Sequence, residues 1–179
     1  ATAEVTVVDD MEPITAVQDY TLNLDADGNG SIVVSDIDNG SSDNCGFDMS
    51  LDITSFDCSN VGLNDVTLTS TDDSGNSSSA VAVVTVNDNI YPTVVAADFD
   101  LVLDAMGVGS ITTSDIDNGS YDNCEFEMEL DVTSFNCNQV GPNQVILTVT
   151  DANDNVSWQT VTVTVIDNTN PVISVQDLT

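Results

Sequence analysis

The chain reads as an all-β protein made of small tandem β-sandwich repeats of 79 residues. Three observations carry that reading: a gapless internal repeat, apolar residues alternating with period two, and turn-forming clusters of Asn, Asp and Gly between the alternating runs. Shifting the sequence by 79 superimposes Pro13, Pro92 and Pro171. It also superimposes SDIDNGS at 35–41 and 114–120, DNC at 43–45 and 122–124, and TSF at 54–56 and 133–135. A fixed period of this kind marks a repeat architecture and takes precedence over local patterns. The register places the last strand and linker of a preceding repeat at 1–12 and full repeats at 13–91 and 92–170. The first strand of a following repeat falls at 171–179.

Within a repeat, TLNL and SIVV flank the Gly- and Asp-rich segment 25–30 as two candidate strands. Phe47, Met49 and Leu51 then alternate with Asp48 and Ser50, as Phe126, Met128 and Leu130 do with Glu127 and Glu129. Val145, Leu147 and Val149, then Val161, Val163 and Val165, complete the pattern with Thr and Ile between them. Alternation rich in β-branched residues predicts half-buried strands, and no segment of helical period competes. Six or seven such strands in 79 residues predict two packed sheets.

Charge narrows the chemistry. The 179 residues hold 31 acidic side chains and no Lys, Arg or His, a formal net charge of −31. No side-chain cation can answer a carboxylate, so solvent ions, bound metal or hydrogen bonds must. A chain so charged repels nucleic acid and anionic membranes, and no apolar run reaches the roughly 18 residues of a membrane span. Without His, Lys or Arg there is no common general base, Schiff-base amine or phosphate clamp. Paired carboxylates alone remain, and here they recur with the fold instead of marking one cleft, so an enzyme is not expected.

The acid is almost all Asp, with Glu only at 4, 12, 125, 127 and 129. Asp suits turns, where its short side chain reaches nearby backbone, and calcium loops, where hard oxygens converge. Asp25, Asp27, Asn29 and Asp36 stand at positions 1, 3, 5 and 12 of an EF-hand-like string, although strands flank it and the second repeat loses two of the ligands. The better candidates recur in both repeats. If alternate loops lie at the same end of a sandwich, the DNC and TDxxxN loops face the incoming linker and the 25–30 hairpin faces the outgoing one. Ca²⁺ ligands at the repeat junctions are then expected among Asp9, Asp10, Asp43 and Asp72, and among Asp88, Asn89, Asp122, Asp151 and Asp167. The competing expectation is that these side chains only form solvated turns.

The four cysteines, evenly spaced in a chain of secretory character, predict disulfides. Cys45–Cys58 and Cys124–Cys137 are the expected pairs, each closing a loop of roughly 14 residues that stabilises by about 3 kcal/mol in the chain-entropy model. Asn29, Asn39, Asn76, Asn118 and Asn155 begin Asn-x-Ser sequons and are candidate glycan acceptors.

The phrases DNCG at 43–46, SNVGLNDVTLTSTDDSGNSSS at 59–79 and DNTNP at 167–171 resemble the hyalin-repeat family. They are similar above all to repeats of Bacteroidota gliding-motility and cell-surface adhesins. The resemblance implies an immunoglobulin-like fold, export to the cell surface and a role in adhesion or an extracellular fibre. Partners are then neighbouring copies of the same repeat, joined covalently or by assembly, with a cell-surface or glycan ligand. Two alternatives stand beside a covalent stalk. One is a self-assembling filament subunit that completes its sandwich with a neighbour's strand. The other is a carbohydrate-binding module, for which Trp158 is the one Trp and Ser79 its counterpart.

Overall fold

In the computed structural model of the chain, residues 2–173 are described. They form two compact units that divide between Asn89 and Ile90. The first unit contains β1 (Tyr20–Asn23), β2 (Asn29–Ser31), the one-turn helix α1 (Val34–Ile37), β3 (Phe47–Leu51), β4 (Ser55–Asp57), β5 (Gly62–Asp72) and β6 (Ser77–Asn87). The second repeats them as β7 (Phe99–Val102), β8 (Val108–Ser110), α2 (Thr113–Ile116), β9 (Phe126–Leu130), β10 (Ser134–Asn136), β11 (Gly141–Asp151) and β12 (Val156–Ile166).

Each unit is a β-sandwich with an immunoglobulin-like layout. One sheet has the order β1-β6-β5-β3 and a ribbon of β2 with β4 faces it; the second unit matches with β7-β12-β11-β9 and β10-β8. The long hairpin β5–β6 is the backbone of the first unit, pairing Gly62 with Val86 through to Thr71 with Ser77. Strict alternation explains why it stays flat against the core: Val66, Leu68, Ala82, Val84 and Val86 point inward while their neighbours face out. Leu22, Ile32, Ile37 and Phe56 fill the space between the sheets, and Leu101, Ile111, Ile116 and Phe135 do so in the second unit. The edge strand β1 pairs with β6 in parallel, Tyr20 opposite Val84 and Asn23 opposite Asn87. Isolated bridges Ile14–Ser42 and Val17–Asp38 add the rudiment of a seventh strand.

Two features differ from the sequence expectation. The SIVV segment stops being a strand after Ser31 and turns into α1, because Asp36 Oδ2 accepts the Val33 N–H at 2.8 Å and caps it. Asp115 does the same for Thr112 at 2.7 Å ahead of α2. A single helical turn is too short to show a period. Residues 2–12, expected as a last strand, form none: no strand of the first unit pairs with them, and Val5, Val7 and Val8 are exposed. A lone strand leaves its backbone groups to water and is not stable by itself. The following first strand at 171–179 falls mostly on 174–179, outside the described residues.

Candidate functional site

The functional interest of the first unit lies at the end where the linker arrives. There Asp72 closes β5 and anchors the turn to β6: its Oδ1 accepts the N–H groups of Ser74 at 2.9 Å and Asn76 at 2.8 Å, and its Oδ2 accepts Asn76 Nδ2 at 2.8 Å. Burial of Asp72 pushes its pKa up, but the bonds from Asn76, Ser74 and Gly75 outweigh this and hold it below the usual carboxylate range. The same Asn76 Nδ2 reaches Asp9 O at 3.1 Å, so the turn grips the linker backbone. From the DNC loop, Asn44 Nδ2 donates to Asp9 Oδ2 at 3.3 Å, and Asp43 Oδ2 accepts the Cys45 N–H at 2.8 Å.

Both loops therefore converge on Asp9, as the alternate-loop argument requires. Asp9, Asp43 and Cys45 each offer a ligand atom, and these atoms lie within 4.8 Å of one another. The electrostatics record the crowding. The Asp9 carboxyl is held low by its hydrogen bond with Cys45 and by the Met11 and Asn44 donors, against a counteracting push from Asp72. The Cys45 thiol is pushed up by that same bond and by the charges of Asp9, Asp43 and Asp72. Cys45 is thus a member of the acid cluster that sequence reasoning assigned to a disulfide alone; its place two residues after Asp43 was the available signal. The donor set is two carboxylates with Asp72 close by, hard oxygens suited to Ca²⁺, whereas a protonated thiol is not a calcium ligand.

The other expected ligands have other settings. Asp10 is exposed. Asp88 is buried just past β6, and Asn89 Nδ2 donates to Asn23 Oδ1 at 2.8 Å at the outgoing end of the first unit. In the second unit Asp122 Oδ2 accepts the Cys124 N–H at 3.0 Å, and Asp151 Oδ1 accepts Asn153 and Asn155 N–H at 2.8 Å each, repeating the Asp43 and Asp72 arrangements. Asp167 Oδ1 accepts the Thr169 N–H at 2.8 Å in the exposed linker.

The EF-hand-like string folds as a turn. Asp25 Oδ1 accepts the N–H groups of Asp27 at 3.0 Å and Asn29 at 2.9 Å, and Asn29 Nδ2 donates to Asp27 O at 3.0 Å. Gly28 supplies the positive φ of 75° that closes it. Asp36 caps α1, and Asp25, Asp27 and Asp36 form no ligand cluster among the described residues. Asp38 and Asp117 likewise accept Ser41 and Ser120 N–H at 2.9 Å each. Short reach to backbone N–H groups is why this chain uses Asp where Glu would give the same charge.

The expected disulfides Cys45–Cys58 and Cys124–Cys137 are not formed. Cys58 and Cys124 are disulfide-bonded, and Cys45 and Cys137 are free, exposed thiols. The reason is geometric. Cys45 precedes Phe47, which pairs with Asp72 at the far end of β5, while Cys58 lies just before Gly62 at its start. The 11 residues of β5 span about 35 Å at roughly 3.3 Å each. A disulfide needs Cα atoms within about 7 Å. Of the sequons, Asn76 and Asn155 turn their Nδ2 atoms inward to Asp72 and Asp151 at 2.8 and 2.7 Å, so a glycan there would break the turn. Asn29, Asn39 and Asn118 are exposed. Trp158 is exposed on β12, with Thr148 as its cross-strand partner.

No family model and no curated protein matches the chain. Among the described residues, no helix is long and apolar enough to cross a membrane. Solved structures with a similar shape include Drosophila N-cadherin EC1-4, 15% identical over 89% of this chain and 50% of that one, TM-score 0.43. Mouse cadherin-23 EC22-24 is 16% identical over 88% of this chain and 65% of that one, TM-score 0.43. Human mucin-like protocadherin EC1-2 is 10% identical over 87% and 98%, TM-score 0.43. The chain spans half of the first of these and about two-thirds of the second.

Proposed function

We propose that the chain is a segment of an extracellular structural and adhesive stalk whose repeats are stiffened by Ca²⁺ at their acidic ends. The observation that carries this reading is the approach of Asp9 and Asp43, with Cys45, to within 4.8 Å in a chain that has no cationic side chain. Like charges held this close raise the energy of the folded linker unless a cation sits between them. A Ca²⁺ ion there bridges the linker to the DNC loop and to the neighbouring Asp72 turn, turning a segment held by few hydrogen bonds into a fixed connection. The 79-residue register gives Asp122 and Asp151 of the second unit the places that Asp43 and Asp72 hold in the first.

Isothermal calorimetry of the chelated protein against CaCl₂, with thermal melts in parallel, tests the proposal. Saturable heat and a higher melting temperature are expected, both reduced in Asp43→Asn and in Asp9→Asn. Absence of calcium-dependent heat, or equal heat from the Asp9→Asn, Asp43→Asn double variant, overturns it.

A further inference from the structure

The two free thiols occupy poses already seen in the two oxidised ones. Cys137 Sγ sits 3.5 Å from Gly107 O, and its counterpart Cys58 sits 3.8 Å from Gly28 O. Gly107 has no room for a side chain, since an added Cβ would collide with Cys137 Sγ. Cys45 and its counterpart Cys124 each hold an Asn Nδ2, from Asn44 and Asn123, at 3.6 Å from sulfur. Their backbone N–H groups donate to Asp43 and Asp122 at 2.8 and 3.0 Å. Since Cys58 and Cys124 are disulfide-bonded, both local frames accept the geometry of the bond. One cysteine of each kind remains exposed, and neither can reach the other cysteine of its own repeat along an 11-residue strand.

We propose that Cys137 of one copy and Cys45 of another are joined by a disulfide, so that copies of this repeat link head to tail. The Cys137 end repels an acidic partner less than the matching end of the first repeat does. It forms a recess of about 450 Å³ bordered by Met106, Gly107, Cys137, Asp167 and Pro171. Met106 replaces Asp27 of the first repeat and Asn136 replaces Asp57, two carboxylates fewer. The Cys45 end is the acidic one, with Asp9 and Asp43 beside the thiol. In the joining reaction two thiols lose two protons and two electrons and form one S–S bond. The electrons reduce the disulfide of an oxidant such as oxidised glutathione to two thiols.

The test equilibrates the full chain in glutathione redox buffer at physiological ionic strength, once with chelator and once with CaCl₂. After alkylation, non-reducing denaturing electrophoresis and peptide mass spectrometry read the product. A ladder at multiples of the chain mass that collapses on reduction, with Cys45–Cys137 peptides joining two chains, is expected in at least one condition. Cys45→Ser and Cys137→Ser, each shown folded by circular dichroism, remain monomers alone and stop at dimers when mixed. A monomer with both thiols free in both conditions overturns the proposal. So do symmetric Cys45–Cys45 or Cys137–Cys137 dimers, or a Cys45–Cys137 bond inside one chain. A ladder in chelator leaves the calcium reading to calorimetry, so the two can fail separately.

Discussion

Ser70 and Val149 occupy the same position in the two repeats, and the difference between them predicts a measurable gain. Ser70 is fully buried on β5 and its hydroxyl has no hydrogen-bond partner. It lies opposite Met49 and Ser78, as Val149 lies opposite Met128 and Ser157, so the surroundings that accept valine in the second unit recur in the first. Removing a buried unsatisfied hydroxyl recovers about 1–3 kcal/mol, and added apolar volume contributes roughly 0.8 kcal/mol per methylene equivalent. Ser70→Val should therefore stabilise the first unit by about 2–3 kcal/mol, and Ser70→Ala by somewhat less. For a unit of this size each kcal/mol moves the midpoint about 4–8 °C, a rise of roughly 10–20 °C. Differential scanning calorimetry measures it. The converse Val149→Ser should lower the transition reported by Trp158 fluorescence in the second unit. If both Ser70→Ala and Ser70→Val melt lower than the parent, the assignment of Ser70 as an unsatisfied group is wrong.

Other expectations follow from the turns and from acid. Asp154 holds a positive φ of 63° where the first repeat has Gly75 at 91°, so Asp154→Gly should stabilise by about 1 kcal/mol, read by chemical denaturation through Trp158. Gly107→Ala combines a φ of 75° with a collision against Cys137 and should lower the melting temperature, whereas Gly107→Ala with Cys137→Ser should recover part of the loss. Asp38 and Asp117 have pKa values lowered chiefly by their serine partners Ser41 and Ser120, and Asp115 by its bonds to Thr112. Depressed folded pKa values give stability that is present above the unfolded Asp value of about 3.9 and lost as pH falls through the folded ones. Circular dichroism melts should then show these contributions intact at pH 5 and failing below about pH 4; loss already complete at pH 5 refutes the sign. Expressed in a glycosylating host, the protein should carry no glycan at Asn76 or Asn155 by peptide mass spectrometry.

How much was legible in the sequence depended on whether the information was periodic or spatial. The alternation at 145–149 and 161–165 forced strands because one face had to be buried. The convergence of the DNC and TDxxxN loops on Asp9 followed from strand connectivity alone. Cysteine spacing misled for the complementary reason: 13 positions from Cys45 to Cys58 is short along the chain, but β3 and its return carry the backbone from one end of the unit to the other. The acidic residues were ambiguous because one side chain serves both readings. Asp36 and Asp38 hold backbone N–H groups of their own segments, and nothing in their sequence separates them from Asp43, which lies against the linker.

The parallel pairing of β1 with β6 has a mechanical meaning. The chain enters each unit below β1 and leaves it above β6, so tension along the chain draws these two strands in opposite directions parallel to their axes. Their hydrogen bonds are loaded together in shear instead of opening one after another, as they would if a hairpin were peeled from its end. A unit built this way resists pulling most strongly along the axis of these two strands, and the small patch Tyr20–Asn23 is the latch that must slip before the core of the unit can be exposed.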